Sequence, residues 1–343
     1  MTRKSYKLAA LLVLVIFVIF AAVSFAAVLY HPAGARRIGR SFLASIRLAF
    51  TPWQSRLYTP TEFTKIGSLY FIVDCWHNRV LYSYSMDAPI REWRVLDSDL
   101  ASPHSIASDS TLYVVDDSSR HALRVYQHCN DTFRLVQIIH GCGERPHRVR
   151  YDPATSAFYV IGSESQQITK LIREAATLHV EYTKHLPFLN NAYTRSFTIA
   201  DGFMFFVSGP KAIIKTRYRD DSYQVVEMFP VPPPIQLGTG MNDLFKTENY
   251  YYLTSTPKVI IRTKSLEALR NGEWEDLYNR LKLNGTPYYL DQFDGRILVP
   301  QALDYSGIIS FVEHDGTLAD VRTMFDSGPP ILGDWRVKHR FPR

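Results

Sequence analysis

Six polar or aromatic residues recur at one position of a repeating unit: Glu62, His104, His147, Arg195, Asn242 and Tyr288, with Asp243 beside Asn242. A carboxylate, two imidazoles, a guanidinium, an amide and a phenol gathered at one place form the convergent polar set that marks a binding or catalytic site. The oxygen donors Glu62, Asn242 and Asp243 suit a hard divalent cation such as calcium, whereas imidazoles suit zinc. His104 and His147 titrate near neutral pH and are the candidates for a general base. Arg195 repels a cation and attracts a carboxylate or a sugar acid. Tyr288, and Asp116 and Trp76 from loops on the same face, complete the candidate ligand contacts. Two uses of the site stay open: one divalent metal, calcium or zinc, in the channel, or an anion held by Arg195 and the histidines.

The elements that must gather these residues are short strands. Apolar runs end at Asp74, Asp116, Gly162, Ser208, Thr254 and Pro300, at separations of 42, 46, 46, 46 and 46 residues. Each end is followed by a polar loop and a further strand, and most units carry a fourth. β-Branched and aromatic residues fill the runs, among 21 Tyr and 20 Phe in the 343-residue chain, as half-buried pleated surfaces favour. A period in the forties with four strands per unit is the signature of a β-propeller blade. The expected fold is therefore an all-β, six-bladed propeller over residues 60–326. The first residues of each innermost strand then lie at one mouth of the central channel. In unit five, residues 265–283 carry Trp274, Leu277, Tyr278 and Leu281 at helical spacing, read as a helical insertion or a distorted strand. Phe229–Ile235, with three consecutive prolines, reads as a stiff inter-blade loop, and Gly238-Thr239-Gly240 as a turn into blade five.

Ahead of the propeller, residues 1–7 form a short basic flank. Leu8–Tyr30 is 23 residues with Ser24 as its single polar member, long enough to cross a bilayer as a signal-anchor helix. Arg3, Lys4 and Lys7 before it place the N-terminus inside and the propeller on the extracytoplasmic side; Arg36, Arg37, Arg40 and Arg47 after it argue the reverse. Residues 31–59 form a basic linker in which 36–50 is amphipathic, suited to a membrane surface or to packing under the propeller. The lipid bilayer is thus the expected partner of residues 8–50. The net charge of +6 comes from this region: residues 1–61 hold eight Lys and Arg and no acid, leaving 31 basic against 33 acidic residues in the remainder. A folded part so near neutrality carries no basic stripe for nucleic acid. Residues 327–343 form a basic tail. Three cysteines exclude a disulfide scaffold; Cys75 and Cys142 are placed on one face, as a pair or as reduced thiols.

The run Tyr70-Phe-Ile-Val-Asp74-Cys-Trp-His-Asn78-Arg79-Val80 and the pairs Pro103-His104-x-Ile106 and Pro146-His147-x-Val149 resemble six-bladed propellers of the NHL-repeat, gluconolactonase–paraoxonase and strictosidine-synthase-like group. The resemblance implies a channel calcium held by Glu62, Asn242 and Asp243. His104, His147 and Arg195 depart from that pattern, and a zinc lyase of the amidating type needs three channel histidines where two are in register. The expected function is a membrane-tethered propeller whose channel mouth binds a small anionic ligand or a protein partner. The alternative is a metal-dependent lactonase or arylesterase with His104 or His147 as base or, third, a zinc lyase.

Overall fold

The computed structural model describes residues 55–209, 211–256 and 258–330. The expected apolar span, the amphipathic stretch 36–50 and the tail from 331 lie outside the described residues. Among the described residues no helix is long and apolar enough to cross a membrane.

The strands between Pro60 and Gly328 form six antiparallel sheets. Each is a blade of contiguous chain. Its innermost strand comes first: Pro60–Ile66, Ile106–Ser108, Pro146–Asp152, Thr194–Ala200, Gly240–Lys246 and, in two pieces, Thr286–Pro287 with Asp291–Phe293. The second strand of each blade (Leu69–Asp74 or Leu112–Asp117, for example) is buried along almost its whole length. Both its faces meet a neighbouring blade, so it reads as a continuous apolar run and not as an alternating one. Six apolar clusters sit one at each junction. Phe71 and Val73 meet Ile106, Tyr113 and Val115 between blades one and two; the equivalent clusters follow around the ring.

The sixth cluster closes the ring. Phe63, Ile72 and Leu81 of blade one pack on Leu298, Ile308 and Phe325 of blade six. The strand Thr317–Gly328 completes blade six. Among the described residues no strand is exchanged across the seam. Instead, Arg56 donates to the Ser327 carbonyl at 2.9 Å, and the Leu57 and Thr59 amides donate to Ser327 Oγ and Ser306 Oγ at 2.8 and 2.9 Å.

Two local expectations change. The helix of unit five is Leu266–Arg270, capped by Ser265, whose side chain accepts from the Ala268 amide. It lies upstream of the spacing that predicted it; Leu277 and Leu281 are instead buried between blades five and six. The proline run is not extended throughout, because Pro233–Gln236 forms one helical turn with proline at its start, where a missing N–H costs nothing. The three cysteines are free, Cys75 and Cys142 buried and Cys129 exposed.

A seam held by packing should be sensitive to lost volume. Phe63 is fully buried and meets the rings of Trp93, Phe293 and Phe325 at 5.9, 5.3 and 6.1 Å between centroids. Phe63→Ala is expected to lower the unfolding free energy by about 3–5 kcal/mol. Leu237→Ala, at a site 89% exposed, should leave it within about 0.5 kcal/mol of wild type. Denaturant titration of both variants checks the contrast.

Candidate functional site

The inner strands pair with their neighbours through a repeated irregularity. In four blades the register skips one residue: Thr61, His147, Arg195 and Asn242. Each is the extra residue of a β-bulge, which bends the strand and re-aims a side chain. The bulge splits the predicted ring into two layers. His147, Arg195 and Asn242 occupy the mouth-side layer, where blade one contributes Thr61. Glu62 and Asp243 are one residue deeper, level with Arg148 and Ser196.

The deeper layer is bound up in joining the blades. Glu62 Oε2 accepts from the Ile106 amide of the next blade at 2.7 Å, and Oε1 from Arg148 Nη1 at 2.8 Å. Asp243 accepts from Ser196 Oγ at 2.7 Å and from the Leu290 amide at 3.2 Å. Asn242 donates to the Pro287 carbonyl at 2.9 Å, and its Oδ1 accepts from Thr256 Oγ1 at 3.2 Å. The Arg148 guanidinium lies 3.7 Å from the Tyr289 ring centroid, and its Nη2 is 3.9 Å from Asp243. Burial pushes the Glu62 carboxyl up to about 7, against the pull of Arg148 and Arg150, and burial likewise raises Asp243. These residues do not fit a divalent cation. A guanidinium already stands between the two carboxylates, and the amide oxygen of Asn242 is turned to Thr256.

Above this layer lies a cavity of about 140 Å³ at the mouth. Trp76, His104, His147, Arg195 and Tyr288 line it, as do Cys75, Arg145, Tyr193 and Thr61. Among the described residues no carboxylate is in that lining. The two imidazoles stack with centroids 3.7 Å apart. Their tautomers follow from their partners. Ser118 Oγ faces two acceptor-only oxygens, Asp116 Oδ2 at 2.9 Å and the Pro146 carbonyl. Its one proton goes to one of them, so His104 Nδ1–H donates to Ser118 Oγ at 3.0 Å. Tyr289 OH donates to the Arg195 carbonyl at 2.8 Å and accepts from His147 Nδ1–H at 2.6 Å. Both Nε2 lone pairs are thereby left for the mouth: His104 Nε2 faces Cys75 Sγ at 3.7 Å and His147 Nε2 faces Tyr288 OH at 3.4 Å.

The fixed positive charge comes from Arg195 and Arg145. Arg195 is 5.0 Å and Arg145 5.9 Å from the Tyr193 ring centroid. Arg145 Nη1 reaches Glu164 at 3.4 Å. Arg195 Nη1 and Arg145 Nε are buried atoms with no hydrogen-bond partner among the described residues. Gly240 makes room for Arg195: a Cβ there would stand 2.8 Å from Nη1.

Of the predicted ligand contacts, Arg195, Tyr288 and Trp76 line the cavity, whereas Asp116 lies beneath it. Asp116 is fully buried and accepts from the His104 and Ser105 amides and from Ser118 Oγ; it acts on the mouth through His104. Its neighbour Asp117, not Asp116, matches Asp74 in register. Both precede a 3₁₀ turn closed by a left-handed residue, Asn78 or His121. Arg145, Arg148, Tyr193 and Tyr289 are additions to the expected site residues, as is Cys75, expected as one of a pair or as a reduced thiol. For two of these a signal existed: Arg148 directly follows His147 and Tyr289 follows Tyr288, and consecutive strand residues point to different layers.

Burial lowers the pKa of His104, and of His147 well below 6.5, with His104, Arg195 and Arg145 adding to the effect on His147. A depressed folded-state pKa means that the unfolded chain takes up protons first as pH falls. The stability held by neutral His147 is thus full above pH 6.5 and lost below it. Glu62 opposes this: its folded value of about 7 exceeds 4.5, so protonating it favours the fold between those values. Between about pH 7.5 and about pH 5.5 the loss of melting temperature should shrink in His147→Gln and grow in Glu62→Gln. An unchanged pH response in His147→Gln would show that this imidazole titrates normally.

No protein-family model and no curated protein matches the chain; similarity appears with solved structures. A Bacteroides uniformis protein described as a 6-phosphogluconolactonase superposes with a TM-score of 0.57 at 13% identity, over 81% of this chain and 87% of that one. A Bacteroides fragilis protein of the same description gives 0.56 at 17% identity, over 78% and 85%. A streptogramin B lyase gives 0.54 at 12% identity, over 81% and 85%. At such identities the likeness is one of fold: the chain is a six-bladed β-propeller whose structural neighbours include lactonase-like proteins.

Proposed function

We propose that the channel mouth binds a small anionic ligand carrying a carboxylate or phosphate. The observation that carries this reading is the cavity lining: two guanidiniums and two imidazoles, no acid among the described residues, and a buried Arg195 Nη1 with no hydrogen-bond partner among them. An unsatisfied buried donor on a charged group is costly, and an anion relieves that cost with a charge-assisted bond. Tyr288 OH and the Nε2 atoms of the histidines add neutral contacts suited to hydroxyl groups. The phosphogluconolactone named in the descriptions of two structural neighbours is a ligand of this class, a small anion with hydroxyls. The resemblance to the gluconolactonase group supports the same class. A metal is not part of this reading, since Arg148 stands where the carboxylates would hold one.

The reading includes a tether. Residues 8–30 anchor the propeller to a bilayer, on the strength of their length and apolarity, and the basic flank places the propeller on the extracytoplasmic side. Full-length protein should remain in the membrane pellet after carbonate extraction; recovery in the supernatant would remove the anchor.

Binding is tested by thermal shift with gluconate, inorganic phosphate and neutral glucose. An anion at about 100 times its Kd should stabilise wild type by about 2.7 kcal/mol, with glucose ineffective. Arg195→Gln should weaken anion binding by about 10- to 100-fold, as loss of one charged hydrogen bond implies, while keeping the melting temperature of the unliganded protein. Equal shifts with glucose, or anion shifts that survive in Arg195→Gln, would refute the site.

A further inference from the structure

We infer that Cys75 and His104 form a nucleophile–base pair at the channel mouth, and that the propeller cleaves small anionic esters or lactones through a Cys75 thioester. The inference rests on the anion site proposed above and adds the chemistry performed there. Cys75 opens the 3₁₀ turn Cys75–His77, directly after Asp74. The turn is held from both sides. The Cys75 and Trp76 amides donate to the carbonyls of Thr59 and Tyr58 at 3.1 Å each, and Asp74 takes the Tyr58 amide at 2.6 Å and Arg79 Nε at 2.8 Å. The thiol is therefore positioned by backbone and not by a loop tip. It lines the same cavity as Arg145 and Arg195.

The pairing has a direction. His104 Nδ1–H is committed to Ser118 Oγ, so Nε2 carries the lone pair, and the Cys75 S–H is the donor that faces it at 3.7 Å. Behind the imidazole, Ser118 passes to Asp116 at 2.9 Å, and Asp116 Oδ2 is itself 3.5 Å from Nδ1. A carboxylate on the far side of an imidazole fixes its tautomer and stabilises the imidazolium that forms when the near side accepts a proton. Nucleophile, base and orienting acid come from a 3₁₀ turn, the segment entering an inner strand and the end of a second strand, in two adjacent blades, and a nucleophile with an oriented base is the arrangement such catalysis requires. Burial raises the Cys75 thiol well above its usual range and lowers His104. The resting pair is neutral, and the proton moves only as the carbonyl is attacked.

The step balances without a metal or an oxidant. Cys75 Sγ bonds to the carbonyl carbon while its proton passes to His104 Nε2. The C–O bond to the alcohol breaks, and the leaving oxygen takes that proton. In a lactone this hydroxyl stays on the acyl chain. Water then attacks the thioester, gives its proton to Nε2, and the S–C bond breaks to return the thiol and a carboxylic acid. Arg145 and Arg195 hold the substrate's anionic group, and His147 Nε2 with Tyr288 OH remains free to meet its hydroxyls.

The test uses the full chain, with exposed Cys129 as internal control, read by peptide mass spectrometry. Iodoacetate, an anion, should alkylate Cys75 faster than neutral iodoacetamide, reversing the order seen at Cys129, and the reversal should vanish in Arg195→Gln. The monoanionic p-nitrophenyl half ester of succinic acid should give a nitrophenolate burst and a hydroxylamine-labile acyl group on Cys75. Cys75→Ser, nearly isosteric, should lose the thioester at unchanged melting temperature. His104→Gln should slow the burst by about 10²–10⁴-fold. A burst that persists in Cys75→Ala, or no acyl-Cys75 although gluconate or phosphate still shifts the melting temperature, overturns the nucleophile and leaves the binding site standing. Acylation by neutral p-nitrophenyl acetate as fast as by the anionic ester, in wild type and Arg195→Gln alike, overturns the anion site and with it the anionic substrate class.

Discussion

The innermost strand of a propeller blade has a partner on one side only. Its other edge faces the channel with unpaired N–H and C=O groups, and buried backbone groups must be satisfied. Here the satisfaction comes from side chains of the preceding blade. Glu62 takes the Ile106 amide, Ser105 Oγ takes the Val149 amide at 2.8 Å, and Asp243 takes the Leu290 amide. Thr61 Oγ1 donates to the His104 carbonyl at 2.9 Å, and Asn242 donates to that of Pro287. At the seam the Tyr289 amide donates to the Thr61 carbonyl at 3.1 Å. These hooks pass from blade to blade around the axis. The apolar clusters hold the blades together; the hooks set the height of one inner strand against the next, and so the height of every residue at the mouth.

That constraint decides which polar residues are available for chemistry. Glu62, Asn242 and Asp243 are hooks with their acceptor atoms in use. Arg148 is the counter-charge that lets two carboxylates be buried side by side. Removing one partner of such a buried pair typically costs about 3–5 kcal/mol, because the other is left uncompensated. Beneath the mouth lies a buried, ion-paired layer. Two of the bulges do the opposite in the layer above, while the extra residues of the other two, Thr61 and Asn242, serve as hooks. The extra residue leaves the hydrogen-bond ladder, and His147 and Arg195 are freed to face a cavity. One backbone device thus supplies both inter-blade hooks and residues of the candidate site.

The six blades were legible because each must bury one fully apolar second strand between two neighbours, and that demand recurs at nearly constant spacing in the chain. The mouth residues His104, His147, Arg195 and Tyr288 were legible for the same reason, since they sit 12, 15, 13 and 12 residues before the ends of those strands. The layering was not. A one-residue bulge leaves no mark on a period of about forty-six, so Glu62 and Asp243 looked level with His147 although they lie below it. Asp116 illustrates the same blindness, because a shift of one residue separates it from Asp117, the true counterpart of Asp74. Contributions from the segments between blades, such as Arg145 and Tyr193, were invisible for another reason. Their approach depends on turns between blades, which carry no period.

The electrostatics of the mouth join binding to proton uptake. Two guanidiniums whose charge is permanent share a small buried space with two stacked imidazoles. Adding an imidazolium there means placing a third positive charge among like charges at low effective dielectric, and burial already favours the neutral rings. The site therefore sets fixed cations beside neutral bases. An anion seated against Arg195 and Arg145 would cancel that repulsion and draw the histidine pKa values back up. By reciprocity, protonating a histidine would tighten the anion by the same free energy. Asp116, poised behind His104 and reached through Ser118, is the acceptor that lets this imidazole carry a proton for the duration of a bound anion or of a bond-breaking step, and its burial keeps water from doing the same at rest.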